Sequence, residues 1–250
     1  MFEAADLTED GFLGGRLQIL QPRKGYRAGT DPVLLAAAVP AQAGQSVLEL
    51  GCGVGVALLC LAVRVPGLVL CGLELQPAYA DLARRNGGLN GHALEVVDGD
   101  VAAMPAALRA RRFDHVLLNP PYYPHGTGTA AADPGREQAL REALPLAAWL
   151  EAGLRRTRPG GTLTLIAGAD RLADVLANLA GALTVLPLAP RTGRAATRVI
   201  VQAGKGGRTP LTLLWPLVLH EAARHEQDGE DHSPQAQALL RDAAYLPLTA

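Results

Sequence analysis

The run Val47-Leu48-Glu49-Leu50-Gly51-Cys52-Gly53-Val54-Gly55 decides how the chain is read. Val47 to Leu50 is apolar apart from one acid, three glycines follow at alternate positions, and Val56–Val63 is apolar throughout. That is a strand, a tight turn and a helix packed on a sheet. Glycine in such a turn lets the backbone approach a ligand at the helix N-terminus. The string G-x-G-x-G alone is weak, since a chain with 28 glycines in 250 residues produces it by chance about 0.3 times. The strand-turn-helix context carries the weight and predicts a nucleotide-type ligand.

Outward from this turn, short apolar runs alternate with amphipathic stretches from Ser46 to Ala203, the rhythm of βα units. Strands are expected at Ser46–Leu50, Leu68–Leu73, Leu94–Val97, His115–Leu118, Thr162–Ala167, Leu183–Leu188 and Arg198–Gln202. Pro77–Asn86 reads as a helix with Tyr79, Leu82 and Ala83 on one face. Gln138–Thr157 repeats Leu140, Leu144, Ala147, Leu150 and Leu154 at helical spacing, with a kink expected at Pro145 and a stop at Pro159-Gly160-Gly161. Ala189–Arg194 is too short for a crossover helix, so the last two strands should form an antiparallel hairpin. The expected fold is therefore α/β, a wound and mostly parallel sheet of seven strands with an antiparallel last strand and helices on both faces. Residues 1–45 form an N-terminal arm, 46–204 the core and 205–250 a C-terminal extension. In that extension Ser233-Pro234 reads as the cap and first residue of a final helix.

Composition narrows the class. A chain of 250 residues with 49% hydrophobic content can close a core without disulfides or a structural metal. Cys52, Cys60 and Cys71 are odd in number and form no C-x-x-C pair, which fits a reducing cytosol. The most apolar stretch ends at Arg64, short of a membrane span. Met1–Asp10 carries four acids and no basic segment, so no export signal is expected. With 23 basic against 24 acidic residues, indiscriminate nucleic-acid binding is disfavoured, while local basic patches remain open.

Two acids strengthen the ligand reading. Glu74 ends the second strand, where a carboxylate can accept both ribose hydroxyls, and Asp100 with Val101 follows the third, where Asp100 can read an adenine amino group. A nicotinamide site prefers G-x-G-x-x-G, whereas here the third glycine comes one residue early and Glu49 stands just upstream. That favours S-adenosylmethionine, with Glu49 near its ammonium. Each acid has a plainer reading as a solvated strand end.

Asn119-Pro120-Pro121-Tyr122 follows the fourth strand, in the crevice where open sheets bind ligands. An N-P-P-Y string is expected by chance in about four of ten thousand chains of this composition. An exocyclic amine on a planar π system is a poor nucleophile because its lone pair is delocalised, so a site must hold it and aim that lone pair at an electrophilic methyl group. The Asn119 side-chain oxygen and the Pro120 carbonyl can each accept one N–H, the two prolines stiffen the turn, and Tyr122 offers a stacking face. No metal is required, and positioning does the catalytic work. The plainer reading is a rigid Pro-Pro turn with a packed tyrosine.

With these motifs in place the chain resembles the class I S-adenosylmethionine-dependent methyltransferases of the N-P-P-Y group, and more narrowly the bacterial tRNA(Val) adenine-N6 methyltransferases. The resemblance spans nearly the whole chain: Gly11 to Arg16, Gln21-Pro22, Gly25 to Asp31, Glu49 to Gly55, Leu73 to Pro77, Ala83 to Asn86, Asn119 to Tyr123 and Pro159 to Gly161. It implies a Rossmann-like class I sheet and methylation of the adenosine 3′ of the anticodon. Glu49, Gly51, Gly53 and Gly55 would cradle methionine and ribose, Glu74 would hold the ribose, and Asp100 with Val101 would flank the adenine. Asn119, Pro120, Pro121 and Tyr122 would bind the target base, and Arg27, Gly29 and Thr30 would lie over the methionine end. Asp31-Pro32 also reads simply as a helix start. The chain departs from the family over His220–Asp231, a charged stretch resembling a lengthened linker.

Residues 11–30 contain Arg16, Arg23, Lys24 and Arg27 without an acid, and 184–220 contain Arg191, Arg194, Arg198, Lys205 and Arg208 without an acid. Such patches bind RNA phosphates without reading sequence, although they also serve as solubilising charge. Pro124–Gly135 is a candidate loop over the target nucleotide, and His125 within it is read as a solvated histidine rather than a base. A protein glutamine amide acceptor and a non-catalytic cofactor-binding module are the competing readings. The first would normally bring a helical substrate domain before the glycine turn, where only about 45 residues stand.

Overall fold

The computed structural model describes residues 1–120, 144–221 and 231–249. The expected parallel core is present: β3 (Ser46–Leu50), α2 (Val56–Arg64), β4 (Val69–Glu74), α3 (Pro77–Leu89), β5 (Leu94–Asp98), α4 (Ala106–Arg109), β6 (Phe113–Leu118), α5 (Leu146–Arg156) and β7 (Thr157–Gly168). Ahead of it stand β1 (Leu7–Phe12), β2 (Leu17–Pro22) and α1 (Asp31–Ala38), and after it α6 (Leu172–Asn178), β8 (Ala182–Arg191), β9 (Arg198–Gly204), β10 (Thr212–Leu213), β11 (Leu217–His220) and α7 (Pro234–Arg241).

The main sheet runs β10-β8-β9-β7-β6-β3-β4-β5, with β11 also on β8. Strand β9 is antiparallel to both neighbours, β7 and β8, and the other pairings are parallel. The antiparallel strand therefore lies inside the sheet, not at its margin. From β3 the chain winds outward through β4 to β5, then returns to the other side of β3 as β6. This reversal opens a crevice at the C-terminal ends of β3 and β6.

Alternation along the central strands builds the core on both faces. Val47 and Leu117 join a cluster with α1 and α2, while Leu48, Leu50, Val116 and Leu118 join one with α5. Seven of the nine residues of α2 are buried, as an all-apolar helix requires.

The sheet has nine strands where seven were expected. Pro216 divides the additional pair into pieces of two and four residues, too short to show alternation, and both add to the edge of β8. The expected stop at Pro159 to Gly161 lies inside β7, because α5 ends at Arg156 and Thr157 already pairs with Phe113. Pro145 caps α5 instead of kinking it, and residues 121–143 lie outside the described ones. At α1 the cap is Thr30, whose carbonyl accepts from Val33 and Leu34, while Asp31 pairs with Arg198 at 3.3 Å. Ser233 caps α7 through Oγ, which accepts from the Ala236 N–H at 3.1 Å. Among the described residues no helix is long and apolar enough to cross a membrane.

The hairpin β1–β2 packs on α3 through two asparagines one helical turn apart. Asn86 accepts from the Leu20 N–H at 2.8 Å and donates to the Leu20 carbonyl at 3.1 Å, while Asn90 treats Gln18 the same way at 2.9 and 2.8 Å. Gln18 and Leu20 present the same edge of β2, so the amides act as a substitute neighbouring strand.

Candidate active site

At the end of β3 the chain turns through Gly51, Gly53 and Gly55, at φ of +71°, +54° and +86°. Gly51 faces Trp149, whose ring would lie 3.0 Å from an added Cβ. At Gly53 the N–H is donated to Glu74 Oε2 at 2.8 Å, tying the turn to the end of β4. Gly55 performs a packing task, with an added Cβ only 3.4 Å from that of Ala83. It does not line the crevice.

The turn forms one wall of a cavity of about 230 Å³. Of the residues expected at the cofactor, Glu49, Gly51, Gly53, Glu74, Asp100, Val101 and Asn119 line it, and Pro120 joins them from the expected base pocket. Arg27, Gly29 and Thr30 do not. Arg27 turns away to Asp10 at 2.6 Å, while its neighbours Tyr26 and Ala28 face the cavity. Pro121, Tyr122, Tyr123, His125 and the Pro124–Gly135 loop lie outside the described residues, as do 222–230 of the charged tail.

The two buried acids differ in their surroundings. Glu74 accepts from Gly53 and, at 2.9 Å, from the Gln76 N–H, and burial still holds its carboxyl above the usual range. Glu49 is 3% exposed and its Oε2 has no hydrogen-bond partner. Burial first, and the nearby Glu74 second, push it well above the ordinary carboxylate value. An orphaned acid oxygen in a cavity wall is a site for a cationic ligand group. Asp100 folds back on its own loop, accepting from the Ala102 N–H at 2.8 Å. These features fit S-adenosylmethionine: an unpaired buried acid oxygen for an ammonium, a second buried carboxyl for ribose, and Asp100 with Val101 lining the same cavity.

Several further wall residues were not expected at the site, among them Tyr26, Cys52, Gln76, Tyr79 and Trp149. The Tyr79 oxygen accepts from the Tyr26 N–H at 2.9 Å, and burial followed by Asp31 pushes the Tyr26 hydroxyl up to about 12. Gln21, itself buried, accepts from the Ala28 N–H at 2.7 Å and donates to Asp10 at 2.8 Å, so one amide shapes the arm where it crosses the cavity. The Gln21-Pro22 pair was the available signal. Trp149 brings an indole N–H that is buried without a partner. The Cys52 thiol is pushed up by burial, which makes it an inert wall group.

The expected RNA-contacting cations divide. Arg191 binds Asp231 at 2.6 Å, Arg198 binds Asp31, and Lys205 donates to the carbonyls of Leu154 and Thr157, both at 2.6 Å. Arg16 and Arg23 are exposed but touch the carbonyls of Asp242 and Ala5. Lys24, Arg194 and Arg208 are exposed.

Residues 27–141 match the family model of the methyltransferase small domain. The chain is 34% identical, over 178 residues, to a tRNA1(Val) (adenine(37)-N6)-methyltransferase of Porphyromonas gingivalis, covering 68% of this chain and 69% of that one. A protein of the same name from Dickeya chrysanthemi is 28% identical over 94% of both chains. Among solved structures, a predicted O-methyltransferase from Agrobacterium tumefaciens superposes with a TM-score of 0.70 at 26% identity, over 88% of this chain and all of the other. A Thermus thermophilus 16S rRNA N2 G1207 methyltransferase shares the fold at a TM-score of 0.56 and 20% identity, over 80% of this chain and 50% of that one.

Proposed function

The chain belongs to the tRNA1(Val) (adenine(37)-N6)-methyltransferase family, and we propose on that premise that its crevice transfers a methyl group from S-adenosylmethionine to N6 of the adenosine 3′ of the anticodon in a tRNA. The observation that carries the reading is the placement of Glu49 and Asn119 on one cavity, from strands β3 and β6 that flank the reversal of the sheet.

Glu49 and the glycine turn hold the methionine end, Glu74 the ribose, and Asp100 with Val101 the adenine. Bound there, S-adenosylmethionine supplies an electrophilic methyl on a sulfonium. Asn119 Oδ1 and the Pro120 carbonyl each accept one N–H of the target amine, which fixes the nitrogen and turns its lone pair toward the donor. No side chain acts as a base. The amine loses its proton to solvent once the new N–C bond has made it acidic. Pro121 and Tyr122 are assigned to the same base-binding motif by their sequence alone. RNA phosphates are met by Lys24, Arg194 and Arg208, together with Arg16 and Arg23, in a cytosolic setting that suits three reduced thiols.

Unmodified tRNA incubated with labelled S-adenosylmethionine is expected to yield N6-methyladenosine on nucleoside analysis. Asn119→Ala should abolish it. Label appearing in protein glutamine and not in RNA would overturn the reading.

A further inference from the structure

We propose that the end of the sheet opposite the crevice carries a second ligand site, for a phosphate group, built on Arg156 with Arg112 and Arg109. Strand β6 begins beside Arg112 and α5 ends at Arg156, so both arginines stand a strand's length, about 20 Å, from Asn119.

Arg156 is 6% exposed, and its Nη1 is buried without a hydrogen-bond partner. The charges around it are Arg112, Arg155 and Arg109, and with burial they make its protonated form less favourable than usual. Lys205 also stands close to Arg112 and Arg156, but it is spent on the carbonyls that end α5. The neighbouring acids are committed elsewhere: Glu151 to Arg155 at 2.5 Å, Glu95 to Arg111 at 2.7 Å, and Asp114 to Arg158 at 2.5 Å. Among the described residues no carboxylate pairs with Arg109, Arg112 or Arg156.

A buried guanidinium surrounded by like charges needs a counter-charge to offset its desolvation. Helix polarity does not explain it, because Lys205 already satisfies the C-terminal carbonyls of α5. Arginine forks match a tetrahedral oxyanion in a bidentate way, and Arg109 and Arg112 are exposed, so a ligand can reach the cluster from solvent. The phosphate is either a small free anion or a phosphodiester of a bound RNA.

Thermal unfolding of the full chain in inorganic phosphate, against chloride at matched ionic strength, is one arm of the test. Binding of tRNA across a salt series is the other, with S-adenosylhomocysteine affinity as a control on the crevice. For a small anion, phosphate raises the unfolding temperature of the wild type, and Arg156→Gln and the exposed Arg112→Ala each weaken that effect tenfold or more with tRNA affinity unchanged. For an RNA phosphodiester, Arg112→Ala weakens tRNA binding about three- to tenfold and lowers the salt slope by about one. The site is refuted if neither arm separates Arg112→Ala and Arg156→Gln from the wild type while both variants remain folded. Loss of methyl transfer alone, with these responses intact, bears on the crevice and not on this site.

Discussion

The side-chain amide of Asn86 makes two hydrogen bonds to the backbone of Leu20, as a neighbouring strand would, and a third to the Val54 carbonyl at 3.0 Å. One fully buried residue of α3 thus joins the arm hairpin to the glycine turn. Asn86→Ala leaves three backbone groups without partners, and a loss of about 2–4 kcal/mol follows. Urea unfolding should show a lower midpoint at unchanged slope. A variant as stable as the wild type would mean that water replaces the amide.

Tyr79→Phe removes the acceptor of the Tyr26 N–H. The arm loosens where it crosses the cavity, so S-adenosylhomocysteine affinity should fall about fivefold by calorimetry, with a stability loss of about 1 kcal/mol. Unchanged affinity would detach the arm from the cofactor.

Glu49→Gln opposes stability to binding. The folded chain holds this carboxyl above its unfolded value, so the wild type loses stability as pH rises past the ordinary carboxylate range. The neutral amide removes that loss. The ligand-free variant should be the more stable protein at pH 7, while its affinity for S-adenosylmethionine falls tenfold or more. Retained affinity would remove Glu49 from the ammonium.

Trp149→Phe keeps a ring against Gly51 and deletes the unpartnered indole N–H. If the ligand accepts that proton, cofactor affinity drops about three- to tenfold. If it does not, the variant gains stability at unchanged affinity, because a buried donor has been removed. Unfolding and calorimetry on the same samples separate the two outcomes.

His115 is buried at the base of β6, between Thr162 Oγ1 at 2.8 Å and Gln45 Oε1 at 2.9 Å. Burial lowers its pKa to about 4. Below about pH 6.5 the unfolded chain takes up a proton that the folded chain refuses, so stability falls from there to about pH 4 and then levels. The loss is at most about 3 kcal/mol. His115→Gln should flatten the slope over that window relative to the wild type, and an identical slope would assign it to other groups.

Much of this molecule was legible as a string because its cues are local. The all-apolar run of α2, the alternating strands and the glycine turn state their geometry within a few residues, and Ser233-Pro234 names its own helix start. The short additions β10 and β11 were hidden because two to four residues around Pro216 have no period to read, and only the free edge of β8 makes them strands. Pro159 to Gly161 do follow the end of α5 at Arg156, but β7 takes in the same residues across a register shift against β6, which no local pattern shows.

Sequence alone determined the wound sheet, the order of its parts, and the acids and amide that end its strands, since each depends on spacing and residue chemistry. Tertiary structure alone decided that Arg27 serves Asp10 while Tyr26 and Trp149 wall the cavity, that Asn86 replaces a strand, and that Arg156 is buried among like charges. Those outcomes rest on contacts between residues far apart in the chain, and no local pattern encodes which distant side chain will be adjacent.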